Sequence, residues 1–194
     1  MHQDHNAPPF NPMPLVVWVL FLILMGIEVV FTLGGQGIIG GPRSAGWRLG
    51  AISEYGFSGV AFDWMIKNGQ MPFENVIRCF SYMFFHGSFT AAIFSGVILL
   101  AMGKLVGEVM GQLAVIILFV FSGVFGVVIF GVLTDQAWLI GAYPSVYGLI
   151  GAYTFLLWQR VAGQGIQQLK AFRLIGFLMG IQLIFGIFFV TGQD

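Results

Sequence analysis

Few side chains in this sequence could carry chemistry, and they are widely separated. Glu28 lies inside an apolar run, about one and a half turns before its end, and Glu108 lies near the end of another. A carboxylate inside a membrane helix indicates an ion or proton pathway, unless it reaches the interface or a water-filled cavity. His86 is the only histidine beyond residue 13, and as a general base it would need a nucleophile within hydrogen-bonding distance. We interpret the segment with His2 and His5 as a solvated tail rather than a metal site.

The composition excludes a water-soluble globular domain. Of 194 residues, 58% are hydrophobic and 8% are charged, whereas soluble domains carry about a quarter charged residues. The mean hydropathy is +0.90, and apolar runs of about 20 residues recur. A net charge of zero argues against a nucleic-acid partner, and the single cysteine, Cys79, cannot form an internal disulfide. The sequence predicts an all-α membrane protein, a polytopic helical bundle in the lipid bilayer, and we expect no cofactor and no metal.

Hydropathy divides the chain into a tail and one transmembrane domain. We expect residues 1–13 to form a disordered tail and residues 14–194 to form the transmembrane domain. Within that domain, residues 34–73 are a long connection in which aromatic and charged residues are mixed, as is typical of short interfacial helices. Five membrane helices are predicted, near residues 14–33, 80–107, 113–133, 138–158 and 174–190.

The segment 141–152, GAYPSVYGLIGA, is apolar and rich in small residues. Small side chains allow neighbouring backbones to approach closely inside a membrane. Pro144 suits the first turn of a helix, because its missing N–H is not needed there. We therefore expect a loop that enters a helix at Pro144. The small residues predicted to form a helix-contact face, and so a binding face, are Gly141, Ala142, Gly148 and Gly151.

This segment resembles the nucleophile-bearing helix of the rhomboid family of intramembrane serine proteases. Members carry Gly-x-Ser-Gly followed by a helix of the type A-x-x-G-L-x-G-A, and residues 146–152, VYGLIGA, follow the second part closely. The position of the serine nucleophile holds Tyr143, and the glycine after it is replaced by Pro144. The resemblance thus implies the fold of the family more strongly than its activity.

A second segment supports the resemblance. Residues 77–89, IRCFSYMFFHGSF, resemble the family pattern W-R-x-x-T-Y-x-F-x-H-G-S-x, in which the histidine, here His86, is structural. Members carry a histidine five residues further on and an asparagine four residues after that, and both stabilise the oxyanion. In this chain these positions hold Ala91 and Ser95. The resemblance covers about residues 77–190, and the sequence lacks the sixth helix on which the family carries its catalytic histidine.

The resemblance therefore implies a degenerate protease site with no catalytic residues. The nucleophile, the oxyanion residues and the base all differ from the family pattern. Ser145 does not replace the nucleophile, because it lies two positions after Tyr143, about 200° around a helix, and has no histidine partner. Tyr143 would itself need a strong activating base, since the pKa of a phenol is about 10.

Three functions are compatible with the sequence. The first is a proteolytically inactive rhomboid-like protein, a pseudoprotease that binds transmembrane helices of client proteins. The second is an active rhomboid-type intramembrane serine endopeptidase, with a relocated nucleophile or a sixth helix supplied elsewhere. The third is a small transporter or channel subunit that uses Glu28 and Glu108, although the chain has no inverted repeat. We expect a multi-pass protein of the bacterial inner (plasma) membrane, and its short basic connections predict a cytoplasmic N-terminus.

Overall fold

Helices account for most of the computed structural model, which describes residues 12–134, 137–163, 170–173, 175–177 and 180. In chain order the elements are α1 (Leu15–Gly35), α2 (Trp47–Tyr55), β1 (Phe57–Ser58), α3 (Gly59–Asn68), α4 (Phe73–Ser81), α5 (Phe89–Met110), α6 (Gln112–Leu133), β2 (Trp138–Leu139) and α7 (Tyr143–Arg160). Short 3-10 turns lie at Gly41–Gly46, Tyr82–Phe84 and Lys170–Phe172. The chain is thus an all-α protein with a minimal sheet.

Among the described residues, three helices are long and apolar enough to cross a membrane: α1, α5 and α6, with 21, 22 and 22 residues. At a rise of about 1.5 Å per residue each spans the roughly 30 Å hydrocarbon core. The predicted fourth helix corresponds to α7, which has 18 residues. Of the predicted fifth helix, only residues 175–177 and 180 are described, and these are helical; the remainder, like residues 1–11 of the predicted tail, lies outside the described residues.

The second membrane helix begins later than the sequence predicts. We expected it to start at residue 80, but α5 starts at Phe89, after the separate helix α4 and a 3-10 turn. The side chain of Ser88 caps α5, because its hydroxyl accepts a hydrogen bond from the Ala91 N–H at 3.2 Å. The loop between Phe84 and Phe89 also carries His86, whose buried ring is bonded to another segment. The apolar run is therefore interrupted by local hydrogen bonding that hydropathy does not detect.

A two-stranded antiparallel sheet joins the long connection after α1 to the segment before α7. Phe57 pairs with Leu139, and Ser58 pairs with Trp138. The pairing corrects the predicted membrane span from residue 138, because Trp138 and Leu139 are extended. The predicted entry into the helix at Pro144 is confirmed to within one residue, since α7 begins at Tyr143. The sheet thus fixes the approach of the chain to the head of α7.

Helix α5 packs against α1, α6 and α7, and α6 packs most extensively against α7. Gly103 allows close approach of α1, because a Cβ atom there would lie 3.0 Å from a methyl group of Val17. The fully buried apolar side chains from these helices include Val17, Leu24, Leu99, Val106, Val115, Phe119, Val146 and Leu149. This packing places the head of α7 beside the first turns of α5, where the candidate site lies.

Candidate functional site

Two backbone hydrogen bonds fix the head of α7. The Gly141 N–H donates to the Tyr82 carbonyl at 3.0 Å, and the Ala142 N–H donates to Nε2 of His86 at 3.2 Å. Gly141 has φ +95°, a left-handed conformation that favours glycine, and a side chain there would also crowd the His86 ring. Tyr82 is itself fixed, since its hydroxyl donates to the Gly123 carbonyl of α6 at 2.8 Å. The start of α7 is therefore held from two sides.

His86 is a neutral hydrogen-bond acceptor at this site. Its ring is 1% exposed, and burial lowers its pKa below the usual value, as does Arg48 more weakly, while Glu28 opposes the shift. Because Nε2 accepts the Ala142 N–H, the ring proton of the neutral form is on Nδ1. The nitrogen that could act as a base is therefore already engaged in fixing the backbone.

The neutrality of His86 predicts a loss of stability in mild acid. Below about pH 6.5 the unfolded chain protonates this histidine and the folded chain does not, so unfolding becomes more favourable as the pH falls. Between pH 7 and pH 5 we expect the free energy of unfolding to fall by up to about 1.4 kcal/mol per pH unit. Thermal melts in detergent over this range measure the effect. His86→Gln, which keeps an acceptor but does not titrate, should lack this dependence, and equal slopes for both proteins would contradict the assignment.

A buried ion pair connects α1 to α2 and to the His86 loop. Glu28 is 1% exposed, and its two carboxylate oxygens accept from the guanidinium of Arg48 at 2.5 and 2.9 Å. Arg48 also donates to the His86 carbonyl at 2.8 Å, and its guanidinium stacks 5.6 Å above the Phe31 ring. Thr32 donates a further bond to Glu28 at 3.3 Å. Glu28 is therefore a buried partner of Arg48 that ties the α1–α2 region to the site.

Tyr143 reaches across from the head of α7 to the first turns of α5. Its hydroxyl lies 3.5 Å from the Ala91 carbonyl, and the Ser95 hydroxyl lies beside it. Ser95 is fully buried, and Ala91 is half-buried. The structure thus brings together the three positions that the sequence singled out, and the phenol occupies the space between α5 and α7.

Ser145 lies on a different side of α7. Its side chain is fully buried, and its hydroxyl faces Gly123 of α6, where a Cβ atom would lie 2.6 Å from the oxygen. Within the described residues this hydroxyl has no hydrogen-bond partner. No described side chain therefore contacts this hydroxyl as the base that a serine nucleophile requires.

The four small residues of the predicted contact face separate into two groups. Gly141 and Ala142 are buried at the head of the helix, and Gly148 packs against α6 so closely that a Cβ atom there would overlap Ser122. Gly151 is exposed, and within the described residues no atom lies within 4 Å of the position its Cβ would take. Gly151 is offset from Gly148 by about 60° around the helix, which turns it away from α6.

Two residues of the site escaped the sequence analysis. Arg48 appears in the sequence only as one of several charges in the long connection, and Tyr82 only as part of a motif. An intramembrane carboxylate is nevertheless a signal for a cationic partner, and Arg48 was one of the cations available to it. The described residues contain no group of three histidine, cysteine or acidic side chains that could hold a metal ion.

Comparison with known proteins agrees with this geometry. A family model described as "Rhomboid domain" matches residues 74–192, which is more than half of the chain. No curated protein and no solved structure shows a significant match. The matched region contains α5, α6 and α7, and with them the positions of Ala91, Ser95 and Tyr143. The chain is therefore an integral membrane protein that belongs to the rhomboid family.

Proposed function

We propose that this protein binds transmembrane segments of client proteins without cleaving them. The observation that carries the proposal is the position of Tyr143, whose phenol lies against Ala91 and Ser95 in the space between α5 and α7. In the family segment that residues 141–152 resemble, this position belongs to the serine nucleophile. A ring at this position fills space that a scissile peptide would need.

The residue at the nucleophile position and the candidate base, Tyr143 and His86, both support an inactive site. A phenol ionises near pH 10, so Tyr143 would need a strong base to attack a peptide at neutral pH. His86 does not supply that base, because its Nε2 accepts the Ala142 N–H. The remaining two histidines of the sequence are His2 and His5, in the predicted tail.

The oxyanion positions support the same conclusion. Ala91 has only a methyl group, so its side chain cannot donate a hydrogen bond. The hydroxyl of Ser95 is buried beside the Tyr143 phenol rather than at a free surface. Loss of one oxyanion donor alone costs about a hundredfold or more in rate, so both changes together favour an inactive protein.

The exposed side of α7 supplies a surface for a client helix. Gly151, Phe155 and Trp158 follow one another at spacings of four and three residues, so they form a single stripe, which we name the α7 stripe. Phe155 is 51% exposed and Trp158 is 40% exposed, and their rings stack with centroids 6.2 Å apart. An exposed glycine beside two aromatic rings allows a second transmembrane helix to approach the backbone closely.

The absence of proteolysis is tested with a reference transmembrane substrate. We expect no cleavage by the wild-type protein and none by Tyr143→Ser, because Ala91 and Ser95 support the oxyanion only weakly in the variant and no free base is within reach. Labelling with a serine-reactive phosphonate gives an independent readout, and an active rhomboid protease serves as the positive control. Cleavage by the wild-type protein would overturn the proposal. Cleavage by Tyr143→Ser alone would show that a base is present.

Client binding is tested on the same substrate, reconstituted with the protein in nanodiscs. A photoreactive amino acid at Phe155 should cross-link the substrate more strongly than one at Phe121, an exposed aromatic residue of α6. Gly151→Leu should reduce the yield at position 155 several-fold by blocking close approach. Equal yields at the two positions would exclude the α7 stripe as the docking surface.

We further propose that the protein lies in a bacterial inner membrane with its N-terminus in the cytoplasm. Arg160 is the last residue of α7, Lys170 and Arg173 follow it, and short basic connections remain on the cytoplasmic side. In a Cys79→Ser background, Asn68→Cys should react with an impermeant maleimide from outside the cell. Ala162→Cys should react only after permeabilisation, and the reverse pattern would invert the orientation.

A further inference from the structure

An open apolar groove lies beside the second half of α1. Its lining residues come from α1, from α2 and from the loop before α5: Gly26, Ile27, Val30, Phe31, Ala51 and Phe85. The groove has a volume of about 440 Å³, which is within the range of small-ligand sites, and none of the six residues has a polar side chain. An occupant of this groove must therefore be apolar where it contacts the protein.

Aromatic packing fixes the walls of the groove. The rings of Phe31 and Phe85 lie 6.1 Å apart, and Phe85 stacks on Tyr55 of α2 at 5.4 Å. The guanidinium of Arg48 lies 5.6 Å from the centre of the Phe31 ring. At Gly26, no atom of the described residues lies within 4 Å of the position that a Cβ would take. The groove is thus formed before an occupant binds, and Gly26 leaves it open.

The depth of the groove matches one leaflet of a bilayer. Helix α1 extends from Leu15 to Gly35, so Gly26 lies just past its midpoint, about 14 Å before its end, and Phe31 lies about 6 Å before its end. One leaflet of hydrocarbon is about 15 Å deep. The groove therefore extends from the bilayer centre towards the headgroups on the α2 side. Val30 is exposed, so the groove opens on the lipid-facing surface of this membrane span.

We propose that the groove binds one acyl chain of a phospholipid in the leaflet on the α2 side. The chain would lie along α1, with its terminal methyl near Gly26 and its carboxyl end near Phe31 and Phe85. An acyl chain is apolar throughout and covers the same range of depth as the groove. Because the walls are already packed, the chain gains contacts without ordering the protein. This chain is then held longer than the lipids that exchange along flat helix surfaces.

The width of the groove distinguishes an acyl chain from a transmembrane helix. Over the roughly 8 Å between Gly26 and Phe31, a volume of 440 Å³ corresponds to a cross-section of about 55 Å². A helix about 10–12 Å across with its side chains has a cross-section of about 80–110 Å². A second helix would therefore rest on the rim of the groove, whereas an acyl chain enters it.

The proposal is tested with photoreactive phospholipids and the wild-type protein in vesicles. Phosphatidylcholine with a diazirine near the terminal methyl should label residues close to Gly26. Phosphatidylcholine with a diazirine near the carboxyl end should label residues close to Phe31 and Phe85. Both should label the groove several-fold more than the exposed face of α6 around Phe121. Equal labelling of the groove and of α6 would mean that only exchanging lipid covers α1, and would overturn the proposal.

Gly26→Leu should reduce the labelling of the groove several-fold, because the new side chain enters the space of the acyl chain. Gly50→Leu is the matched control, since it adds the same side chain at an open helical position that does not line the groove. It should leave the labelling unchanged, and the melting temperatures of both variants should stay close to the wild-type value. Unchanged labelling of Gly26→Leu would contradict the proposal.

Two further outcomes would assign the groove to another occupant. A wild-type dimer that Gly26→Leu dissociates, seen by native mass spectrometry, would identify a second copy of the chain. Loss of lipid labelling when the reference transmembrane substrate is added would identify a client helix.

Discussion

Replacing Arg48 with alanine is expected to destabilise the protein by about 3 kcal/mol, the lower end of what is lost when one partner of a buried ion pair is removed. The large effect arises from the group left behind, because Glu28 is 1% exposed and loses both strong hydrogen bonds to its carboxylate. The His86 carbonyl loses its donor in the same variant. For a chain of this size the melting temperature in detergent should fall by about 10 °C.

The size of the effect should depend on the charge of residue 28. Adding Glu28→Gln to Arg48→Ala removes the unpaired charge, so the double variant should melt at a higher temperature than Arg48→Ala alone. Arg43→Ala, at an exposed arginine of the same connection, should shift the melting temperature by less than about 2 °C. If Arg48→Ala and Arg43→Ala melted alike, the ion pair would not stabilise the fold.

Glu28 illustrates how far sequence reasoning reaches at this site. An acidic residue in an apolar run is conspicuous, because burying a charge in hydrocarbon is expensive, and this predicts a partner or a water-filled cavity. The identity of the partner depends on the path of a connection of 40 residues, and Arg48 meets Glu28 only through tertiary packing. The pairing also removes the reason for assigning Glu28 to an ion pathway.

The membrane helices α1 and α6 were predictable from hydropathy alone. The starts of α1 and α6 lie within one residue of the prediction, at Leu15 and Gln112. The start of α5 was wrong because the apolar run continues through Phe84 and Phe85, although the chain leaves the helix there. Capping by Ser88 is a local signal for this boundary, and the prediction from hydropathy did not include it.

The sequence predicted which residues lie at the candidate site, but it did not predict the hydrogen bonds between them. The family resemblance aligned Tyr143 with Ala91 and Ser95, and the structure places these residues in contact or side by side. The role of His86 as an acceptor for the Ala142 N–H could not be derived, because a hydrogen bond across 56 residues leaves no periodic signal in the sequence. Nor does spacing alone distinguish Gly148 from Gly151, since both belong to one small-residue pattern.

Replacing Gly148 with leucine is expected to be as disruptive as the loss of Arg48. The Cβ atom alone would overlap both the hydroxyl and the Cβ of Ser122, so rotating the serine hydroxyl cannot relieve the clash. The backbone carbonyl of Leu118 also lies 3.4 Å away, which prevents a simple shift along α6. Helices α6 and α7 would have to separate, and overpacking of this kind costs about 3 kcal/mol or more. Thermal melts in detergent should show a fall of about 10 °C or an aggregated protein.

Gly151→Leu is the matched control, because it adds the same side chain to the same helix at a position with open space. Its melting temperature should stay within about 2 °C of the wild-type value, while client cross-linking at Phe155 falls. Gly148→Ala should give an intermediate loss of stability, and Ser122→Gly combined with it should restore most of that loss, because the overlap is with the Ser122 side chain. An unchanged melting temperature for Gly148→Leu would mean that this side of α7 faces lipid. The close packing of α6 on α7 would then have to be assigned to other residues.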